Sequence, residues 1–239
     1  MLGLVPDNHL TRFRTLILAA ALFSSPASAW AEAEASEILR KALTSFEHHL
    51  ADQLDPAKYR QALVNAAAAV DAAPADPRSH LLLGSVYLRH SVNRIALERA
   101  EDSFLTALDL APGDIRAQTL LAETYFLQRR FHSARQVWLE LLVGDAPNLA
   151  PSFVAQALRA YLLNGDLELG LRELPRLRRK SPDNPWLAAL HAGLVAARMQ
   201  SGGDMESARQ LADLRSWWQR PGLPADLAAF VRSTWLKEG

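Results

Sequence analysis

Small or apolar residues and a proline recur along this chain at a fixed spacing. Three such positions, four and then three residues apart, are followed five residues later by a proline. Because proline lacks an amide hydrogen and clashes with the preceding turn, each copy is typical of a helix end. The copies are Ala62-Ala66-Ala69-Pro74, Ala100-Phe104-Ala107-Pro112 and Gly170-Leu174-Leu177-Pro182, then Ala134-Trp138-Leu141-Pro147 with one extra residue, and a degraded Ala208-Ala212-Arg215-Pro221.

A second pattern lies upstream of three of these copies. It combines a leucine, a small residue and a tyrosine, as Leu83-Gly84 with Tyr87, Leu121-Ala122 with Tyr125, and Ala157-Leu158 with Tyr161. The five prolines are 38, 35, 35 and 39 residues apart. Together the two patterns resemble the tetratricopeptide repeat (TPR) family, whose unit is a helix–turn–helix of about 34 residues. Residues 1–29 make the resemblance that of an exported bacterial member. The resemblance covers residues 43–220 and is strongest over 77–184.

The resemblance implies an all-α fold, a right-handed superhelical solenoid of antiparallel helix pairs. A small residue such as Gly84 lets the second helix approach, and Phe104, Trp138 and Leu174 fill the space between pairs. One pair cannot bury its apolar stripe alone, so neighbours must stack. The first copy lacks the leucine-glycine-tyrosine half, and the last has Gly193 without a tyrosine, which leaves between three and five repeats.

Two irregularities interrupt the repeat. Pro175 falls inside a predicted second helix, so that helix should kink or begin irregularly. The distance from Tyr87 to Ala100 is 13 residues, four more than at the next repeat. We expect this insertion, at about residues 89–96, to lengthen the helices or the loop of the pair at 77–111.

Residues 1–29 are typical of a secretory signal peptide. Two arginines precede the apolar run 15–23, and small residues lead to Ala29. We expect cleavage after Ala29, although cleavage after Ala31 satisfies the same rule. The alternative is an uncleaved anchor, which needs roughly 20 consecutive apolar residues, about twice the run present here. The pattern therefore favours a mature periplasmic chain without a membrane span.

Helices are also expected at both ends of the repeat array. Residues 30–42 are assigned to a lead-in helix and residues 221–239 to a C-terminal capping helix. The capping helix has one apolar face that covers the open end of the solenoid, formed by Leu227, Phe230, Val231 and Trp235. At least two of the tryptophans Trp217, Trp218 and Trp235 are expected to pack in the core, the alternative being an exposed aromatic surface.

Composition and motifs give no support for catalysis. Lysine plus arginine and aspartate plus glutamate number 26 each, so no net charge indicates nucleic acid binding. Cysteine is absent, which excludes disulfides, thiol nucleophiles and an N-terminal lipid anchor on cysteine. No metalloprotease, hydrolase, P-loop or dinucleotide-binding motif is present. The histidine pair His48-His49 has no further ligand at helical spacing, so we predict no enzyme activity, no cofactor and no metal.

The resemblance also implies a concave groove that recognises a partner segment. In this family, positions 2, 5, 9 and 12 of each first helix line the inner face, and Arg89 is adjacent to that row. The mixed basic and apolar lining suits a protein or peptide segment with acidic and apolar side chains. The lysine and asparagine clamp of chaperone-binding members is not evident, and the alternative is that the convex side binds. The groove residues are Arg78, Leu81, Ser85, Arg89, Arg116, Thr119, Glu123, Phe126 and Arg159.

A dense basic run lies further along the chain. Its members are Arg172, Arg176, Arg178, Arg179 and Lys180. One interpretation is a patch for an acidic partner or phosphate. The other, which we favour, is a set of solvated cations at a helix C-terminus, where they interact well with the helix dipole.

The sequence therefore predicts a protein-binding scaffold or adaptor of the bacterial cell envelope. Candidate settings are pilus, secretion, polysaccharide export or cytochrome maturation assemblies. Two alternatives stay open, a self-associating structural protein and a cell-wall enzyme that uses the repeats as a scaffold. The oligomeric state and the identity of the partner are not predicted, because fold alone does not supply them.

The aromatic positions of the repeat supply a stability prediction. Replacing Phe104 or Trp138 with alanine should lower the free energy of unfolding by about 3–5 kcal/mol, because each change leaves an unfilled cavity between helix pairs. Urea unfolding followed by circular dichroism measures this. A loss below about 1 kcal/mol at both positions, typical of surface substitutions, would contradict the packing role.

Overall fold

The computed structural model describes residues 35–51, 55–90, 93–144 and 149–236, which form eleven helices and no strand. The expected signal peptide at 1–29, residues 30–34 and Pro147 lie outside these ranges. No helix of the described part is long and apolar enough to cross a membrane. The helices are α1 (Ala35–Ala51), α2 (Pro56–Ala72), α3 (Pro77–Arg89), α4 (Arg94–Leu110), α5 (Ile115–Leu127), α6 (Phe131–Val143), α7 (Pro151–Leu163), α8 (Leu167–Lys180), α9 (Pro185–Gln200), α10 (Met205–Trp217) and α11 (Ala225–Thr234).

Three turns between consecutive helix pairs share one backbone geometry. The residue after α2, α4 and α8 adopts φ of −143°, −142° and −134° with ψ of 70°, 79° and 72°. In each turn its amide donates to the carbonyl oxygen four residues earlier. Each of these helices ends two residues before a proline of the repeat, at Pro74, Pro112 and Pro182. The recurrence confirms the prediction of an all-α chain built from repeated helix pairs.

The same turns define where the next helix begins. Asp76, Asp114 and Asn184 are the N-caps of α3, α5 and α9, and each side chain accepts a hydrogen bond from the amide two residues later. Such caps satisfy backbone donors that have no partner within the helix. The first helical position of α3 and of α9 is a proline, which also favours helix initiation, because an amide hydrogen is not needed there.

The described residues up to Gln128 form a first compact unit, made of α1 to α5. Here α1 packs against α2, α3 packs against α4, and each pair contacts the next helix. The side chains of Phe46, Leu82 and Phe104 are fully buried between them. At Gly84 the approach is so close that an added Cβ would lie 2.6 Å from Cε1 of Phe104. The predicted role of this glycine is confirmed.

Two features of the first unit refine the expected repeat. Helix α4 begins six residues before Ala100, whereas α6 begins three residues before Ala134. Three of the four inserted residues therefore lengthen the second helix of the pair, and one lengthens the loop before it. Helix α1 runs without interruption from Ala35 to Ala51, and the boundary drawn at residue 42 falls inside it. A hydrogen bond from Asn65 Nδ2 to Ser45 Oγ ties α1 to α2.

A second compact unit contains α6 to α11, from Arg129 onward. Its core includes the buried side chains Trp138, Tyr161 and Leu174. Helix α8 continues through Pro175 from Leu167 to Lys180, and it begins eight residues before the proline rather than at it. Trp138 and Leu174 are therefore core residues, as expected of space-filling side chains.

The degraded last copy is shifted by one residue from the predicted alignment. Ala208 and Ala212 are exposed, whereas Ser207 and Leu214 are buried. The reason is the pair Trp217 and Trp218, which are 8% and 1% exposed. Burial of two indole rings is worth far more than burial of two methyl groups, so the tryptophans determine which face of α10 turns inward.

The last helix, α11, packs against α9 and α7. Leu227 and Val231 are buried, whereas Phe230 and Trp235 are half-buried. At Gly193 of α9 an added Cβ would lie 3.2 Å from the ring of Trp235. The apolar face predicted for this helix therefore covers α9, and at least two of the three C-terminal tryptophans pack in the core as expected.

The contact between Gly84 and Phe104 supplies a matched pair of variants. Gly84→Ala should lower the free energy of unfolding by about 1–3 kcal/mol, because the new methyl group overlaps the ring of Phe104. Gly113→Ala is the control, since nothing lies within 4 Å of its Cβ position, and it should change stability by less than about 0.5 kcal/mol. Equal stabilities of the two variants in urea unfolding would refute the close approach.

Candidate functional site

The predicted groove residues of the first unit lie on two helices that contact each other, α3 and α5. Arg78, Leu81, Ser85 and Arg89 belong to α3, and Arg116, Thr119, Glu123 and Phe126 belong to α5. Residues 38 positions apart, such as Arg78 and Arg116, occupy equivalent places just after the N-caps. The structure thus brings eight of the nine predicted residues onto neighbouring helices.

Each of the two equivalent arginines faces the carboxylate that caps its own helix. Nη2 of Arg78 lies 2.7 Å from Oδ2 of Asp76, and Nε of Arg116 lies 3.6 Å from Oδ1 of Asp114. Burial opposes ionisation of Asp76, but the hydrogen bonds from Arg78 outweigh it and lower its pKa. Hydrogen bonding to Asp76 raises the pKa of Arg78. Both arginine side chains remain about one-third exposed, at 36% and 34%.

Three other members of the row lie below the surface. Leu81, Ser85 and Glu123 are 3%, 0% and 6% exposed. Oγ of Ser85 donates to the carbonyl oxygen of Leu81, and Oγ1 of Thr119 donates to that of Ile115. Because these hydroxyls are used by their own helices, they offer little to a partner. The accessible cations of the row are therefore Arg78 and Arg116, and Phe126 is half-buried beside them in the row. Arg89 is half-buried as a residue, but its Nε and Nη2 are shielded from solvent.

The ninth predicted residue, Arg159, belongs to the second unit. It is exposed on α7, one helical turn before Leu162 and Leu163, which are 41% and 54% exposed. A cation next to two exposed leucines has the mixed character expected of a binding surface.

The second unit contains an ion pair that no sequence pattern indicated. Nη1 of Arg135 lies 3.1 Å from Oδ2 of Asp166, and its guanidinium stands over the ring of Tyr161 at 4.9 Å. The Tyr161 hydroxyl donates to Oε2 of Glu173. Burial is the main cause that raises the pKa of Tyr161, so this hydroxyl stays protonated. These contacts connect α6, α7 and α8 and serve packing.

A second missed group surrounds Trp217. The guanidinium groups of Arg178 and Arg220 lie 5.6 and 5.5 Å from the centroid of this ring. Nη1 of Arg178 is also 3.0 Å from Nδ1 of His191 on α9. The basic run containing Arg178 was visible in the sequence, but nothing there indicated that this one arginine turns inward.

The histidine of this group is neutral. Because a guanidinium can only donate, Nδ1 of His191 accepts the hydrogen bond from Arg178 and the ring carries its proton on Nε2. Burial, followed by the charge of Arg178, lowers the pKa of His191 to about 4, although the nearby Gln210 amide partly offsets this. Nε2 is shielded from solvent.

No cluster of three histidine, cysteine, aspartate or glutamate side chains that could hold a metal ion occurs among the described residues. His48 is exposed on α1, and the side chain of His49 lies outside what the structure describes. The titratable groups with large shifts, Tyr161 and His191, are each packed against an arginine.

The neutral His191 supplies a pH prediction. Its pKa of about 4 in the folded chain is below the unfolded value of about 6.5, so the unfolded chain binds the extra proton between these values. The stability that neutral His191 contributes is complete above a pH of about 6.5. As the pH falls to about 4, the free energy of unfolding decreases by roughly 3 kcal/mol. Urea unfolding across this range should show a shallower loss for His191→Gln. Identical pH dependence of the two proteins would contradict the assignment.

No family model matches the chain, and a search of curated proteins finds no match. Among solved structures, the chain is similar to a thermophilic TPR protein from Thermus thermophilus. That likeness has a TM-score of 0.44 and 17% identity, over 78% of this chain and 91% of the other. A tetratricopeptide repeat protein from Parabacteroides merdae has a TM-score of 0.44 and 11% identity, over 94% and 77%. At these scores the helix-pair architecture rests on this chain's own repeated turns and packing.

Proposed function

We propose that the chain is a protein-binding scaffold and that the surface of α3 and α5 in the first unit holds a segment of its partner. The observation that carries the proposal is the repeated placement of Arg78 and Arg116, each against the carboxylate that caps its helix. Two cations are thereby presented at equivalent positions on neighbouring helices.

Anchoring makes these arginines suited to recognition. A free arginine loses considerable side-chain entropy when a partner immobilises it, and this cost lowers affinity. Contact with Asp76 and Asp114 restrains the two guanidinium groups before any partner arrives. Because each side chain is still about one-third exposed, a carboxylate of the partner can approach from the solvent side.

The rest of this surface determines the kind of segment that fits. Thr119 and Phe126 are half-buried on the same helix as Arg116. Because the hydroxyl of Thr119 is used by its own helix, the two side chains add a small and a large apolar contact. An extended or helical segment with acidic and apolar side chains complements this arrangement. The proposal is therefore a protein or peptide partner, with no cofactor and no reaction.

The compartment belongs to the proposal as well. The apparent signal peptide at 1–29 supports export, and an exported scaffold would act in the periplasm within an envelope assembly. The alternative function is that of a structural protein that self-associates.

Charge reversal at the equivalent arginine tests this surface. Arg116→Glu should weaken recovery of the partner from solubilised membranes about tenfold or more, since it replaces attraction by repulsion. Arg94→Glu on α4 is the matched control, because Arg94 is 89% exposed and lies outside the row. A photo-crosslinking amino acid at position 116 identifies what touches the surface in intact cells. Equal recovery by both variants, or crosslinks only to other copies of the chain, would overturn the proposal.

A further inference from the structure

The basic run of α8 divides into two parts. Arg172, Arg176, Arg179 and Lys180 are exposed and follow one face of the helix at spacings of four, three and one residues. We call these four the basic stripe. None of them has an ion pair among the described residues, and Arg178 alone turns toward α9 and α10.

Arg178 and Arg220 together hold an excess of positive charge around one ring. Both guanidinium groups lie within 5.6 Å of the centroid of Trp217, which is 8% exposed. Burial and then the charge of Arg220 lower the pKa of Arg178. In the described part of the second unit neither arginine has an ion pair. Two like charges with no counter-ion repel each other, and an anion beside both would relieve this repulsion.

The packing around the ring restrains Arg178 and the ring itself. Nδ1 of His191 accepts a hydrogen bond from Arg178, and Trp217 itself is held against Trp218 in an edge contact with centroids 5.1 Å apart. Arg220 is exposed, whereas Arg178 is half-buried with its Nε shielded, so a ligand reaches the ring from the side of Arg220. Guanidinium groups stack on aromatic faces while their edges remain able to bind a planar carboxylate in a bidentate manner.

We propose that Arg178 and Arg220 form a carboxylate-binding site on Trp217, and that it receives an acidic segment of a protein partner. The inference rests on the proposed scaffold function only in that the ligand is a protein segment. Arg179 and Lys180 of the basic stripe directly follow Arg178 in the last turn of α8, so a segment with several acidic residues can contact them as well as the arginine pair. A single phosphate would use the arginine pair alone.

The test is calorimetric titration of the purified chain with hexaglutamate, with hexaglutamine as the neutral probe. Arg220→Gln should weaken hexaglutamate binding about fivefold, and Arg220→Glu should abolish it. Arg220→Lys should bind between wild type and the glutamine variant, because it keeps the charge but loses the bidentate geometry. The matched control is Arg232→Gln, an exposed arginine on α11, which should bind like wild type.

Several results would overturn the site. One is that Arg220→Gln and Arg232→Gln weaken hexaglutamate binding equally, and another is that hexaglutamine binds as tightly as hexaglutamate. A third is that inorganic phosphate displaces hexaglutamate from wild type but not from Arg220→Gln. Arg220 is exposed, so circular dichroism should show an intact fold in each variant. Partner recovery that depends on Arg116 but not on Arg220 would reject this inference and leave the scaffold function standing. Hexaglutamate binding through Arg220 without any recovered partner would support the site and count against the scaffold function.

Discussion

Close approach of helices at small residues is the constraint on which the rest of the structure depends. At Gly84 the ring of Phe104 occupies the place of a side chain, and at Gly170 the side chains of Tyr161 and Leu194 do the same. Dispersion attraction falls steeply with distance. If a methyl group at the glycine held the two helices apart, much of the attraction between the ring and the facing helix would be lost. Only with these contacts does each pair present a continuous apolar surface to the next helix.

The turns between pairs connect folding to recognition. A carboxylate that caps a helix must lie beside its first backbone amides. In α3 and α5 this requirement brings Asp76 and Asp114 next to the guanidinium groups of Arg78 and Arg116. The N-cap residue of each helix therefore also positions a cation at the surface. The second unit restrains Arg178 differently, through His191 and the ring of Trp217.

Local patterns predicted much of the fold because their physical causes act over a few residues. Hydrogen bonding within one or two turns explains why α2, α4 and α8 end before their prolines and why the inserted residues make α4 longer. The alignment of the last copy was wrong by one residue, since matching Ala208 and Ala212 ignored the larger gain from burying two indole rings. The predicted groove row identified two neighbouring helices but not which of its members are accessible.

By itself the sequence determined the helix order, the turns and the small residues at which helices approach, because each depends on nearby residues and on a period of the chain. Only the tertiary structure decided that Ser85 and Glu123 are buried whereas Arg116 stays at the surface. It also brought Arg178 and Arg220, 42 residues apart, to one ring. The physical reason is that burial depends on which neighbouring helix covers a side chain, and helical periodicity alone does not specify that neighbour.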